Sequence, residues 1–201
     1  MSKKRQKQGS IFIISGPSGS GKTTLAGHLL GDKTLRNKLS RSISLTTRPR
    51  RTGEQDRKDY FFISEARFKQ EQKAKKILEW TKYLGYYYGT PRDFIEKQLN
   101  NSKSVVLCLD FKGAFKVKKL YPRNAVTIFV VPPSLDTLLH RITGRCNKIK
   151  EKEVRQRLAL ARQELLNAGK YDYCVANQDF NQASKQLKGI ILKEIRRVNK
   201  G

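Results

Sequence analysis

Apolar and polar residues follow one another in blocks along the chain, a pattern that predicts buried strands separated by helices. Short apolar runs at 11–15, 104–109 and 125–131 are typical of strands buried on both faces of a parallel sheet. A further strand is predicted at 173–176, and helices over 22–30, 112–120, 134–142, about 151–167 and about 180–198. This alternation predicts an α/β fold with an open parallel sheet flanked by helices.

Residues 41–90 break this alternation. They are polar, rich in Arg and Tyr, and predict short antiparallel strands with one helix over about 65–75. A new helix is predicted after them, with Thr90 as its N-cap, Pro91 in the first helical position and Asp93 in the first turn. Ser134 is the predicted N-cap of the helix over 134–142. The interruption therefore predicts a small lobe inserted into the α/β core.

The charge of the chain is strongly positive. It carries 43 Lys and Arg against 17 Asp and Glu, a net charge of +26. Such a surface attracts anions, including nucleotides and RNA. The lysines are spread along the whole chain, which favours a solvated basic surface over a nucleic-acid site. Residues 1–8 are expected to form a basic, disordered tail.

Apolar runs and cysteines bear on where the protein works. The longest apolar runs are far too short for a membrane span, and none has the form of a secretory signal. The three cysteines, Cys108, Cys146 and Cys174, lack metal-ligand spacing and predict reduced thiols. These features predict a cytoplasmic protein without a membrane partner.

A glycine-rich segment follows the first predicted strand. Residues 16–23 match the pattern G-x-x-x-x-G-K-[ST] and lie between a strand and a helix. The glycines let backbone N–H groups point at phosphate oxygens, and the helix N-terminus adds its positive dipole. Lys22 is expected to reach the β- and γ-phosphates, and the Thr23 hydroxyl to ligate Mg²⁺. The segment predicts binding of a nucleoside triphosphate with Mg²⁺.

Two arginines and two tyrosines in the inserted lobe predict a second phosphate site. Arg48 and Arg51 stand three residues apart beside a proline, a spacing suited to a phosphate clamp. Tyr60 and Tyr88 can donate hydroxyl hydrogen bonds to the same phosphate.

A carboxylate and two hydroxyls in the same lobe suit a guanine base. Glu79 can accept from the N1–H and N2–H₂ groups of guanine, and Ser44 and Thr90 offer small hydroxyls beside it.

From Gly16 to about Asn177 the chain resembles guanylate kinase. The resemblance rests on the phosphate loop, the segment Ser44–Glu54, the Asp59-Tyr60 pair, the Leu78-Glu79-Trp80 triplet and the segment Tyr87–Thr90, in that order. It implies a P-loop kinase fold in a single domain. The implied parts are a core (about 9–41, 92–134 and 163–201), a GMP-binding lobe (about 42–91) and a helical lid (about 135–162).

The resemblance also implies roles for individual residues. GMP would contact Ser44, Arg48, Arg51, Tyr60, Glu79, Tyr88, Thr90 and Asp110. ATP would contact Gly16, Pro17, Ser18, Gly19, Ser20, Gly21, Lys22, Thr23, Thr24 and, near adenine, Asn177. Catalysis would rest on Lys22, Arg48, Arg141, Arg145 and Arg157, with Mg²⁺ at Thr23. The implied partners are ATP and GMP, and the protein is expected to be a monomer or a homodimer.

The chain departs from the family pattern at one position that is expected to affect Mg²⁺ binding. Cys108 stands where the family usually has an aspartate that organises Mg²⁺ and its waters, and Mg²⁺ prefers hard oxygen ligands. Two alternatives to an active GMP kinase therefore stay open, a related binding module with little catalysis and a kinase with another phosphorylated acceptor. An RNA-binding side role for the basic surface is a further hypothesis.

Overall fold

The computed structural model describes residues 9–144 and 151–200, with side chains as far as Val198. Along the chain the elements are β1 (Ile11–Ser15), α1 (Lys22–Gly31), β2 (Leu39–Arg41), β3 (Leu45–Thr46), β4 (Phe61–Phe62), α2 (Glu65–Lys73), β5 (Ile77–Tyr83), β6 (Tyr86–Pro91), α3 (Arg92–Asn100), β7 (Ser104–Cys108), α4 (Phe111–Leu120), β8 (Ala125–Val131), α5 (Leu135–Thr143), α6 (Glu151–Leu166), a short 3₁₀ helix (Ala168–Lys170), β9 (Tyr173–Ala176) and α7 (Phe180–Lys200).

The larger sheet has five parallel strands in the order β2-β7-β1-β8-β9. Its central strand β1 pairs Ile14 with Cys108 of β7 and Ser15 with Phe129 of β8. Because all five strands run the same way, their carboxyl ends lie on one edge, where ligands of open α/β sheets bind. The predicted open parallel sheet with flanking helices is confirmed.

Alternate residues of β1 explain why helices cover both faces of this sheet. Phe12 and Ile14 face a buried cluster that includes residues of α1 and α7. Ile11 and Ile13 face a second cluster that includes residues of α3 and α4. All four side chains are inaccessible to solvent, as expected for a strand buried on both faces.

The smaller sheet, with the order β4-β3-β6-β5, lies within the interrupted stretch of the chain. Strand β6 pairs antiparallel with β3 and β5, as predicted, but β3 and β4 pair parallel, with Leu45 opposite Phe61. The prediction of antiparallel strands alone was wrong, because a long connection at 47–60 returns the chain in its starting direction. Helix α2 seats the buried Phe68 within 3.1 Å of where a Cβ on Gly89 would stand.

Two predicted helix caps had different outcomes. Ser134 caps α5, and its hydroxyl accepts from the Thr137 amide at 3.0 Å. Thr90 does not cap α3, which begins at Arg92 with Pro91 in the capping position and no side-chain cap. The Thr90 hydroxyl instead donates to the buried carboxylate of Glu79. A buried acceptor outweighs a solvent-exposed capping bond here, because an unsatisfied buried carboxylate is costly.

The end of β7 also differs slightly from expectation. The strand ends at Cys108, and Asp110 serves as the N-cap of α4, accepting from the Gly113 amide at 2.8 Å. This turn carries the chain from the edge of the large sheet toward the smaller one. Among the described residues, no helix has the length and apolar character that a membrane span requires.

Candidate active site

A cleft of about 410 Å³ opens between the phosphate loop, at the carboxyl end of β1, and the smaller sheet. Its lining includes most residues that the sequence predicted for nucleotide binding: Gly16, Ser18, Gly19, Gly21, Lys22, Thr23, Thr24, Ser44, Arg48, Arg51, Tyr60, Glu79, Tyr88, Asp110 and Arg157. Gly16 and Arg157, which are 141 positions apart in the chain, thus meet in one cavity.

The phosphate loop owes its shape to glycines with no room for a side chain. A Cβ on Gly16 would lie 2.5 Å from the carbonyl oxygen of Val130. Gly21 has a φ of 90° and stands at the N-cap of α1, a left-handed conformation that favours glycine. Lys22 bends back over the loop, and its ammonium donates to the carbonyl oxygens of Gly16 at 2.9 Å and Pro17 at 3.3 Å. The loop and the helix dipole together form a ready anion site.

Two side chains from distant elements hold carbonyl groups of this loop. The Asn177 amide donates to Ser20 O at 2.7 Å, and Arg141 donates to Gly19 O at 3.0 Å. Within the described chain, the residues that line the cleft do not include Asn177 or Arg141. Pro17 and Ser20 of the loop are also absent from the lining. The structure therefore brings Asn177 and Arg141 to the back of the loop, where they fix its backbone.

Arg157 reaches the loop from α6. Its Nε and Nη2 donate to Glu153 at 3.0 and 2.6 Å, and Nη1 contacts the Ser18 hydroxyl at 3.4 Å. The side chain is 7 % exposed and lines the cleft. Arg145, which the sequence predicted as a partner in catalysis, lies outside the described residues.

Arg48 is the most constrained cation of the smaller sheet. Its side chain is 8 % exposed, and its guanidinium donates to both carboxylate oxygens of Glu54, at 2.8 and 3.0 Å, and to Pro49 O at 2.7 Å. It also lies 5.5 Å from the ring centroid of Tyr60, within cation–π range. Burial alone would raise the pKa of Glu54, but hydrogen bonds from Arg48 and the Arg51 amide hold it below its ordinary value.

The two tyrosines predicted at the phosphate site meet edge to face. The ring centroids of Tyr60 and Tyr88 are 6.0 Å apart, and both line the cleft beside Arg48 and Arg51. Burial, with a smaller contribution from Tyr88, raises the pKa of Tyr60, so its hydroxyl stays protonated and able to donate. Two guanidiniums and two hydroxyls thus converge on one wall of the cleft.

Glu79 is a carboxyl group buried at the far end of the cleft. It is 2 % exposed, and burial raises its pKa to about 7 against the opposing hydrogen bond from Thr90. The nearby charge of Asp110 contributes to this rise in pKa. A Cβ on Gly113 would stand 2.7 Å from Glu79 Oε2, so the glycine makes room for the carboxylate. Ser44 and Asp110 line the same cavity.

Cys108 lines the cleft at the end of β7, beside Asp110. Burial raises the pKa of its thiol, so it is neutral near pH 7. Within the part of the chain that the structure describes, no group of three His, Cys, Asp or Glu side chains is placed to hold a metal. Thr23, whose hydroxyl is predicted to bind Mg²⁺, is an exposed residue that lines the cleft.

The cleft also contains residues that sequence reasoning did not assign: Arg41, Glu54, Asp59, Thr81, Tyr83 and Glu164. Thr81 and Tyr83 follow Glu79 at intervals of two along β5, so strand alternation could have placed them on the same face. Arg41 ends a strand of only three residues, which is too short to give an alternation signal.

Comparison with known proteins identifies relatives over nearly the whole chain. The family model described as guanylate kinase matches residues 8–194. A guanylate kinase of Wolbachia pipientis wMel is 40% identical over 189 residues, covering 94% of this chain and 92% of the relative. One from Caldanaerobacter subterraneus subsp. tengcongensis is 42% identical over 195 residues, covering 97% and 92%. The crystal structure of guanylate kinase from Anaplasma phagocytophilum superposes with a TM-score of 0.76 at 29% identity, covering 94% of this chain and 87% of that one.

Proposed function

The chain belongs to the guanylate kinase family, and we propose that it transfers the γ-phosphate of ATP to GMP or dGMP, giving ADP and the nucleoside diphosphate. The observation that carries the proposal is one cleft with a phosphate loop on one side and the buried Glu79–Thr90 pair on the other. A donor triphosphate and a guanine base therefore fit the same cavity. No observation favours a binding module without catalysis.

Glu79 supports the choice of guanine over the other bases. Its ionised carboxylate would accept from N1–H and N2–H₂, with Ser44 and Asp110, which line the cleft, as further contacts to the base. Thr90, also predicted to contact guanine, is fully buried, is not a cleft-lining residue of the described chain and donates to Glu79, so we propose that it orients this carboxylate. Adenine presents an unprotonated N1 at the corresponding edge, so a buried carboxylate would face a lone pair and lose its partner. Such a mismatch of buried polar groups discriminates strongly between substrates.

The phosphate of GMP would lie on the wall formed by Arg48, Arg51, Tyr60 and Tyr88. Two guanidiniums and two hydroxyls offer donors from several directions, and arginine matches phosphate geometry through its planar fork. Held in this way, a phosphate oxygen of GMP would point toward the phosphate loop.

Transfer itself needs placement and positive charge more than covalent chemistry. Lys22 and the loop amides would hold the β- and γ-phosphates, and Arg157, which already touches the loop through Ser18, would neutralise charge on the transferred group. We propose the same role for Arg145, whereas Arg141 and Asn177 would act from behind the loop, with Asn177 also near the adenine. A phosphate oxygen is already nucleophilic, so no general base is required.

Mg²⁺ would supply further charge compensation between the phosphates. The donor set fits a metal that is held chiefly by nucleotide oxygens and water, since Thr23, an exposed residue that lines the cleft, offers one hydroxyl. The neutral thiol of Cys108 is a poor ligand for this hard cation.

The proposal is tested by a coupled assay of ADP release with ATP, Mg²⁺ and one acceptor at a time: GMP, AMP, UMP or CMP. We expect ADP release with GMP and little with the others. Absence of turnover with every acceptor would contradict the proposed activity, and turnover with AMP alone would contradict the role of Glu79.

A further inference from the structure

Arg41 is a cation of the cleft that has no role in the phosphoryl transfer described above. It is the last residue of β2, where it pairs with Val106, and its half-buried side chain lines the cleft together with Lys22 and Cys108. Strand β7 separates β2 from β1, so Arg41 stands at the same carboxyl edge of the sheet as the phosphate loop.

The two most deeply buried arginines of the cleft differ from Arg41 in their partners. Arg48 is paired with Glu54 and Arg157 with Glu153. Across residues 9–144 and 151–198, Arg41 takes part in none of the ion pairs. Cys108 lines the same cleft, and its neutral thiol feels the positive charge of Arg41 but offers no countercharge.

A half-buried guanidinium that has no carboxylate partner is unusual. Partial desolvation is costly unless an anion compensates it, which is why buried arginines are normally paired. The anion that this cavity is built to receive is a phosphate group, since the neighbouring loop offers amides and Lys22 for that purpose. A phosphate group of the bound nucleotide would therefore supply the anion that Arg41 lacks.

The sheet and the cleft together place Arg41 beside the phosphate loop. Arg41 is level with Val106 of β7 and, through it, with Phe12 of β1, three residues before the end of that strand. With strands about 4.8 Å apart and a rise of about 3.3 Å per residue, the backbones of Arg41 and the end of β1 are on the order of 14 Å apart. The cleft spans this distance, since Arg41, Gly16 and Lys22 all line it.

We propose that Arg41 is a further phosphate-binding residue of the transfer site and donates to phosphoryl oxygens of the nucleotides bound beside the phosphate loop. The inference rests on the proposed function for the identity of those nucleotides. The phosphate could belong to ATP or to GMP, and the chemistry of recognition is the same for both.

The experiment compares Arg41→Gln with Arg36→Gln and Arg41→Lys. Arg36 is exposed and is not among the cleft-lining residues of the described chain, so both glutamine variants lose one positive charge from the same highly basic surface. Binding of inorganic tripolyphosphate, measured by calorimetry, is independent of turnover. We expect Arg41→Gln to weaken it roughly 10- to 100-fold, Arg36→Gln to leave it within about twofold, and Arg41→Lys to restore part of it because the charge remains without the planar fork.

Steady-state kinetics then show which phosphate Arg41 binds. A selective rise in KM for GMP assigns it to the acceptor, a selective rise in KM for ATP to the donor, and a fall in kcat alone to the group in transfer. Unchanged thermal midpoints in all three variants would separate this role from a structural one.

Equal tripolyphosphate affinity and equal kinetics in Arg41→Gln and Arg36→Gln would overturn the inference. If the parent protein does not phosphorylate GMP but Arg41→Gln still loses tripolyphosphate affinity, the proposed function fails and the phosphate site stands. The binding measurement therefore tests the phosphate site of Arg41, and the turnover measurement tests the proposed function independently.

Discussion

Replacing Glu79 with glutamine should make the nucleotide-free protein more stable at alkaline pH while it harms GMP binding. In the folded protein, burial raises the pKa of this carboxyl from its ordinary value of 4.5 to about 7. The native state therefore holds the proton more tightly than the unfolded chain does. Its ionisation costs folding free energy progressively as the pH rises from about 4.5 to 7, and the full cost persists above that.

The size of this cost follows from the difference in pKa. A rise in pKa from 4.5 to about 7 makes ionisation of Glu79 cost about 3 kcal/mol of folding free energy at pH 8. About 1 kcal/mol of this cost is already present at pH 5. Glutamine has nearly the same shape and does not ionise. Relative to the parent, Glu79→Gln should thus gain about 2 kcal/mol between pH 5 and pH 8, or about 4–8 °C in thermal midpoint for a chain of this size.

Urea unfolding of both proteins at pH 5, 6, 7 and 8 without nucleotide measures this difference. Any fixed penalty from misplacing the new amide cancels, because only the change of the parent–variant gap with pH is used. Other titrating groups cancel in the same way. A gap that stays constant from pH 5 to pH 8 would refute a raised pKa for Glu79.

The same ionisation should control GMP binding in the opposite direction. Guanine donates to the carboxylate, so the KM for GMP of the parent should rise as the pH falls below about 7. In Glu79→Gln this component should vanish, leaving a high KM and only the titration of the substrate itself. The ratio of the two KM values across the pH range isolates Glu79, and a constant ratio would contradict its contact with the base.

Four other substitutions test separate parts of the cleft. Lys22→Met should lower kcat in the coupled assay by at least about 100-fold, with GMP affinity by calorimetry unchanged. Cys108→Asp should lower the Mg²⁺ concentration needed for half-maximal activity, because it adds a hard oxygen ligand to the cleft; an unchanged requirement would show that the thiol position does not face the metal. Asn177→Ala should lower the thermal midpoint by about 2–4 °C, since it leaves the Ser20 carbonyl without its donor. Glu54→Gln should weaken GMP binding several-fold by calorimetry even though it raises the net positive charge, and tighter binding would refute an orienting role for Glu54.

Local sequence patterns were sufficient for the elements that local physics determines. The apolar strand, the glycine spacing and the following helix placed the phosphate loop correctly, because backbone conformation there depends on glycine itself. The ends of β8 and β9 also agree with their apolar runs, since β8 lies between Asn124 and Pro132, and β9 between Asp172 and Asn177.

Contacts between distant segments were beyond those patterns. The donors to Gly19 and Ser20 come from residues 122 and 157 positions away, so nothing near the loop indicates them. Thr90 has the local sequence of a helix cap, and only the fold reveals the buried carboxylate that takes its hydroxyl instead. Arg41 gives no signal by itself, because its environment is set by the neighbouring strand.

The Arg48–Glu54 pair shows how one interaction can serve both the fold and the site. A guanidinium has five N–H groups, and three hydrogen bonds from Arg48 go to Glu54 and Pro49. The donors that remain face Tyr88 and the cleft, so a phosphate bound there would meet a cation that is already oriented. Glu54 offsets charge that Arg48 brings, which would leave more of the net attraction on this wall to Arg51. We therefore expect Arg48 to contribute direction and Arg51 charge, a division that would explain why an acidic residue is useful in the wall of an anion site.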